Sequence, residues 1–212
     1  MTDPTQQTPD QILRATLAGH GLSAAAVDAF AAHFRLLLRW NPTHNLTRVV
    51  DAAAAAVLHY LDCALPLLTL EPPARLRDIG SGAGFPGLVA AVLWPQTEIV
   101  LVEPARKRAS FLQVAAGELG LKNVQVASPG PGTAEMVLSR ATFSAGARQE
   151  LWGYVAGGGT LVAWTTDHDR AMWETEASTW SPASLTWHPY ALPVAASAET
   201  RAHGLLRVLR KP

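Results

Sequence analysis

The chain has 212 residues, 49% of them apolar, which is enough for a sizeable core built as one domain or one and a half. Its 17 basic and 17 acidic residues cancel, so the overall basic footprint of a nucleic-acid binder is missing and any such contact falls to local clusters. No apolar run approaches the ~18 residues of a membrane helix, and the single cysteine, Cys63, excludes an internal disulfide and a cysteine-clustered zinc site.

The opening "MTDPTQQTPD" has neither a basic n-region nor an apolar h-region, so no secretion signal is expected, and a cytoplasmic protein is the default. Thr8 and Pro9 open a first helix, with Gln11 completing a capping box. Gly19 and Gly21 close it. Ser23 caps a second helix with Val27, Phe30, Phe34, Leu37 and Leu38 on one face, and Pro42 is expected to end it. Asp51 caps a third, through "AAAAAVLHYLDCAL". "LEPPARL" reads as a linker.

From Arg75 the texture changes. "RLRDI" is a strand, followed by a helix over 86–93; "EIVLVEP" is a strand, followed by a helix over 105–119. "NVQVA" and "EMVLS" are short strands separated by "SPGPGT", an exposed loop. "ARQELWGYVA" reads as a helix closed by Gly157, Gly158 and Gly159. "TLVAWT" is a strand, "DHDRAMWETEAS" a helix, and "LTWHPYAL" and "HGLLRVLR" are closing strands at an antiparallel edge. Alternating elements with continuous apolar strands define an α/β fold whose parallel sheet is covered on both faces. Trp40, Trp94, Trp152 and Trp164 read as core residues.

The first βα turn, "DIGSGAGFPG", carries Gly80, Gly82, Gly84 and Gly87 and feeds a helix N-terminus, where free N–H groups and a positive dipole end suit an anionic or polar ligand. "GAGFPG" fits G-x-G-x-x-G, and Glu103 follows about 20 residues on at the end of the second strand. Dinucleotide and S-adenosylmethionine both fit that pattern. Asp78 favours the methyl donor, because a carboxylate repels pyrophosphate and attracts an ammonium or sulfonium. A ligand-free structural turn is the third reading.

Taken in order, "RWNPTHNLTRV", "HYLDCALP", "DIGSGAGFPG" and "KRASFLQVAAGELGLKNV" resemble the RsmG (GidB) family of bacterial 16S ribosomal RNA guanine-N7 methyltransferases. The resemblance runs from about Trp40 to Arg140 and continues more weakly to the C-terminus. It implies a class I methyltransferase (Rossmann-like) fold, a mostly parallel seven-stranded sheet over 71–212 and a helical N-terminal extension over 1–70. It also implies S-adenosylmethionine as cofactor and 16S ribosomal RNA or the small ribosomal subunit as partner, with a monomer expected and no metal. Carried over residue by residue, cofactor binding falls on Asp78, Gly80, Gly82, Gly84, Phe85, Glu103, Ser128 and Arg140. Substrate binding falls on Asn45, His59, Pro86, Lys107 and Arg108. No general base is expected. Each position also has a structural reading: Asn45 and Thr47 as turn caps, His59 and Asp62 as a local pair, Lys107 and Arg108 as surface charge, Arg140 as a strand-end ion-pair residue.

The sequence departs from the family pattern at three places. Pro129 stands at an arginine position in a shortened "SPGPGTAE" segment, "AWTT" has no lysine after the fifth strand, and Leu58 replaces an arginine before His59. A non-catalytic RNA- or ribosome-binding relative is therefore carried as an alternative, and a nicotinamide-dependent oxidoreductase as a weaker one.

Overall fold

The computed structural model describes residues 7–140, 145–193 and 203–212. Helix α1 (Pro9–Leu17) has the expected capping box: Gln11 N–H donates to Thr8 Oγ1, and Thr8 N–H to Gln11 Oε1. Helix α2 (Ala24–His44) is capped by Ser23. Pro42 does not end it. The missing N–H costs one bond to the carbonyl four residues back, which the last turn of a 21-residue helix tolerates, and the helix stops instead at Asn45 in the left-handed conformation (φ 49°).

The third helical stretch is broken in type rather than in direction. It runs as α3 (Ala52–Ala55), a π-helical turn (Ala56–Leu61) and α4 (Asp62–Leu67). Such π segments mark functional sites more often than chance, and this one carries His59 and leads into Asp62.

The sheet follows: β1 (Arg75–Ile79), α5 (Gly87–Leu93), β2 (Glu98–Val102), α6 (Arg106–Glu118), β3 (Val124–Ala127), β4 (Ala134–Ser139), α7 (Ala145–Gly153), β5 (Val155–Thr166), α8 (Asp167–Ser178), β6 (Ser184–Tyr190) and β7 (His203–Leu209). The strand order is β3-β2-β1-β4-β5-β7-β6. Strands β1 to β5 pair in parallel, and β7 runs antiparallel between β5 and β6. Alternation along the strands sorts the core into two layers. Met136 and Leu138 of β4 pack with the N-terminal helices, α5 and α6, whereas Val137 packs with α7 and α8. Residues of α1 through α4 thus share one apolar cluster with β1, β2 and β5. Among the described residues no helix is long and apolar enough to cross a membrane.

The three glycines at 157–159 do not close α7. They lie within β5, where pairing jumps from Val155↔Ala134 to Thr160↔Met136. The intervening residues bulge out of the ladder. A Cβ at Gly159 would lie 2.8 Å from the Glu135 carbonyl oxygen and 3.0 Å from that of Ala156, both backbone atoms. Gly159→Ala is therefore expected to destabilise the protein by about 1–3 kcal/mol, whereas Gly146→Ala, with nothing near its Cβ, has little effect. Urea unfolding of the two variants side by side checks this, and equal midpoints would contradict the bulge geometry.

Candidate functional site

Most amides of the glycine loop between β1 and α5 are already paired within the protein. Gly80 and Ser81 N–H both donate to the Val102 carbonyl, Gly84 and Phe85 N–H to the Ser81 carbonyl, and Leu88 N–H to the Gly84 carbonyl. Two carboxylates take further donors. Glu103 Oε2 accepts from Gly82 N–H at 2.8 Å and its Oε1 from Ala105 N–H at 2.9 Å. Asp78 Oδ2 accepts from Gly87 N–H at 3.0 Å. Glycine is required at 87 by close approach: a Cβ there would lie 2.4 Å from Asp78 Oδ2 and 2.3 Å from Leu101. Gly80, Gly82 and Gly84 all have positive φ.

This arrangement corrects two expectations. The start of α5 is not a free anion site, since Gly87 and Leu88 already spend their N–H groups. Asp78 does not line an opening either. It is fully buried and supports the loop from beneath, with Oδ1 enclosed and unpartnered among the described residues. Burial pushes its pKa up to about 7, against the pull of the Gly87 hydrogen bond. Glu103, by contrast, stands where the pattern requires, at the end of β2 and against the loop, 2% exposed.

Phe85 also differs from expectation. Its ring turns into the helical layer, stacking on His59 (4.7 Å between centroids, 24°) and meeting His33 and Tyr60 at 5.2 Å each. Pro86 is buried beside it and caps α5. His59 does not pair with Asp62. Its Nε2 shares a hydrogen bond with Thr47 Oγ1 (2.8 Å), and burial, aided by the Arg140 charge, lowers its pKa to about 4. It is a neutral spacer between the loop and the "NLT" turn. Thr47 Oγ1 accepts from Val49 N–H, and Asn45 is the exposed C-cap of α2.

Arg140, at the end of β4, takes the ion-pair reading. Nε and Nη2 reach Asp62 Oδ2 at 2.7 and 2.6 Å, and Nη2 also donates to the Leu58 carbonyl. Asp62 is itself buried and surrounded: Tyr190 Oη donates to Oδ1 (2.6 Å), His203 Nδ1 lies 3.5 Å from the same oxygen, and Trp164 Nε1 donates to the Asp62 carbonyl (2.8 Å). Burial raises the Tyr190 pKa, which keeps its hydroxyl a donor at neutral pH. This node opens into a cavity of about 250 Å³ at the carboxyl ends of β4, β5 and β6 and the amino end of β7, bordered also by Trp173 and Asp169 of α8.

Lys107 and Arg108 are exposed with Arg106 in the first turn of α6, just past Glu103. Ser128 is exposed at the end of β3, where Ala127 pairs with the end of β2. Ala141 lies outside the described residues. The cavity residues Trp164, Asp169, Tyr190 and His203 have no part in the sequence-level site. Their one sequence signal is position: each falls at an end of a strand or helix that the parallel topology brings to the same edge.

Sheet order, the loop after β1 and an acid ending β2 define the class I methyltransferase fold. A SAM-dependent O-methyltransferase from Thermotoga maritima has that fold, with a TM-score of 0.57, 12% identity, and coverage of 71% of this chain and 65% of that one. The model of the rRNA small subunit methyltransferase G (GidB) family matches residues 26–184, and the chain belongs to that family. The ribosomal RNA small subunit methyltransferase G 1 of Syntrophobacter fumaroxidans is 40% identical over 124 residues, 57% of this chain and 56% of the relative. The corresponding enzyme of Streptococcus pyogenes serotype M5 is 38% identical over 109 residues, 50% of this chain and 46% of the relative. The chain spans about half the length of the curated relatives it matches.

The titrating groups under the loop set a pH test. Asp78 holds a proton in the folded state that the unfolded chain releases above its ordinary value of 3.8, so its contribution falls as pH rises from about 4 to 7. His33 and His59, both lowered by burial to about 4 from 6.5, act oppositely and lose stability as pH falls through that interval. Asp78→Asn removes the first slope and keeps the second. The variant's stability relative to the parent is expected to climb between pH 4 and 7, by at most about 1.4 kcal/mol per pH unit, and to level off above 7. Chemical denaturation across that range reads it, and a flat difference would place the Asp78 carboxyl outside a buried site.

Proposed function

We propose that this chain transfers a methyl group from S-adenosylmethionine to N7 of a guanine in 16S ribosomal RNA, with residues 71–212 as the transfer unit and 1–70 as its helical extension. The observation that supports the choice of cofactor is the largely paired glycine loop. A pyrophosphate needs several free N–H groups from such a turn, and here all but that of Ala83 go to Asp78, Glu103, the Val102 carbonyl and carbonyls of the loop itself. A loop held by two carboxylates suits a ligand of hydroxyls and positive charge. Family membership points the same way and supplies the substrate class.

Glu103 would hold the ribose hydroxyls, since each of its oxygens accepts a single protein hydrogen bond and has a lone pair to spare. The turn at Gly82 and the end of β3 at Ser128 would border the same ligand. When bound, S-adenosylmethionine supplies an electrophilic methyl on a sulfonium, which departs as a neutral thioether once a lone pair has taken the methyl. Guanine N7 has an in-plane lone pair that is unprotonated at neutral pH, so no residue need act as a base. The protein's work is orientation, worth up to ~7–11 kcal/mol in well-aligned cases. Lys107 and Arg108 would grip phosphate without reading sequence.

Calorimetry and methyl transfer test this together. S-adenosylmethionine and S-adenosylhomocysteine are expected to bind and NAD is not. Gly82→Trp, on a backbone with φ 56°, is expected to cost tenfold or more in affinity (about 1.4 kcal/mol per tenfold). Labelled methyl is expected to appear at guanine N7 in small ribosomal subunits from a strain lacking the gene. Lys107→Ala and Arg108→Ala should each weaken RNA binding and flatten its salt dependence by about one counterion. Tight NAD binding would support the oxidoreductase reading, and RNA binding without either methionine-derived ligand would support the non-catalytic one.

A further inference from the structure

We infer that a groove on the outer strands β5, β7 and β6, centred on Arg207, docks the sugar–phosphate backbone of the RNA substrate. The inference rests on the RNA reading of the function. It adds a second contact surface, toward the opposite end of the strand order from Lys107 and Arg108.

Register builds the groove. Arg207 of β7 stands opposite Val162 of β5 on one side and Thr186 of β6 on the other. Two residues nearer the amino edge, on the same face of the sheet, Leu209 stands between Thr160 and Ser184. Nearer the carboxyl edge Leu205 stands between Trp164 and His188. Val162, Trp164 and Leu205 are buried in the cluster that includes the N-terminal helices. That cover does not reach the rest. Leu209 is 36% exposed, and Ser184, Thr186 and His188 are exposed along the edge strand. A groove of about 260 Å³ runs between Arg207 and these side chains. The other face of the same strands is closed, with Leu206 and Val208 packed against Trp173 of α8.

The lining offers donors and positive charge. Arg207 sits in a strand paired on both sides, and it makes no ion pair among the described residues. Its Nε is buried without a hydrogen-bond partner among them. An N–H left unsatisfied in this way costs free energy, and a phosphate oxygen supplies the missing acceptor. The Thr160 and Ser184 hydroxyls line the same groove, and no carboxylate of the described residues does. Thr186 Oγ1 and His188 Nε2 share one hydrogen bond of 3.0 Å. Burial and then the Arg207 charge hold the His188 pKa below its ordinary value, so the field of Arg207 crosses the groove uncompensated. Arginine together with serine and threonine hydroxyls is a usual partner set for backbone phosphate. From Ser184 to His188 the groove follows β6 for about 13 Å, longer than a single small ion needs. It climbs from the amino edge toward Tyr190, whose hydroxyl meets Asp62 at the carboxyl edge. A strand of RNA lying in it is led to the edge where the glycine loop opens. An acidic peptide is the other polyanion to weigh. Peptides commonly dock by adding a strand to a sheet edge, and Pro189 within the edge strand β6 blunts that mode.

Filter binding of 16S ribosomal RNA over a series of salt concentrations tests the inference with two variants. Arg207→Gln removes the charge. It is expected to weaken binding about three- to tenfold and to make the salt dependence shallower by about 0.7–0.9 in slope, the value of one phosphate contact. Thr186→Glu places a carboxylate on the exposed position opposite Arg207. It is expected to keep or raise the melting temperature, since opposite charges facing across a strand pair stabilise it, while weakening RNA binding at least as much as Arg207→Gln. Affinity for S-adenosylhomocysteine is expected to be the same in both variants as in the parent. Polyglutamate, the acidic-peptide probe, is expected to bind the parent and Arg207→Gln alike. An unchanged salt slope in Arg207→Gln, or undiminished RNA binding by Thr186→Glu, overturns the inference. A loss of polyglutamate binding in Arg207→Gln as large as the loss for RNA assigns the groove to acidic peptides and also overturns it. A parent protein that binds RNA but not S-adenosylhomocysteine overturns the methyl-transfer reading and leaves the groove assignment standing, and one that binds no RNA overturns both.

Discussion

Two carboxylates hold the turn after β1, and the rest of the site depends on them. Asp78 takes the Gly87 amide from below and Glu103 takes the Gly82 amide from the side. The contact at Gly87 is so close that no side chain fits between the turn and β1. A glycine-rich turn left to itself would sample many conformations at high entropic cost. Here its shape is set by charge-assisted bonds, which are roughly twice as strong as neutral ones, although Asp78 gives up part of that gain because burial favours its neutral form. The result is a rigid rim most of whose amides are spent on the protein itself. An anionic ligand finds few free donors there, and a ligand with hydroxyls and positive charge would meet Glu103.

Asp62 performs the matching task for the helical layer. It leads from the π turn into α4, yet its partners come from β4, β5, β6 and β7: Arg140, Trp164, Tyr190 and His203. Removing one side of such a buried ion pair typically costs about 3–5 kcal/mol, because the other charge is stranded. The node therefore ties the N-terminal helices to the sheet edge by polar contacts, in addition to the shared apolar cluster. Phe85 does the same on the other flank, inserting its ring among His33, His59 and Tyr60 so that the glycine loop is packed against the helices. Both histidines are kept neutral by burial, which makes them packing surfaces rather than proton carriers.

How much of this was legible in the sequence follows from the range of the forces involved. Caps at Thr8, Ser23 and Asp51, the strand–helix alternation and the acid at 103 are local signals, and they read correctly. Pro42 and the glycines at 157–159 misled because their usual meaning as breakers assumes no tertiary compensation. The long helix α2 carries the proline, and a bulge in β5 uses the glycines. Side-chain direction was the least legible feature. Nothing local says that Phe85 turns to the helices, that Asp78 is enclosed, or that Arg140 finds Asp62 seventy-eight residues earlier. The cavity escaped altogether, because Trp164, Asp169 and Tyr190 meet only once strand order is known.

Zero net charge does not decide against the proposed RNA substrate, because net charge is the wrong quantity. Arg14, Arg35, Arg39, Arg140, Arg148 and Arg170 all sit in ion pairs with carboxylates. Each such pair is silent at long range, since opposite charges in contact cancel beyond roughly a Debye length of 8–10 Å. What an approaching phosphate backbone senses is the remainder. Arg106, Lys107 and Arg108 are exposed and make no ion pair among the described residues, and they begin α6 immediately after Glu103. Arg48 is likewise exposed, next to Thr47, whose hydroxyl meets the His59 ring stacked on Phe85. Other cations without an ion pair among the described residues, such as the exposed Arg75 and Lys122, lie elsewhere, so these four are a local cluster and not the whole of the free positive charge. Pairing of six arginines elsewhere raises the share of the free positive charge that stands beside Glu103, where a phosphate backbone would be attracted under the proposed function.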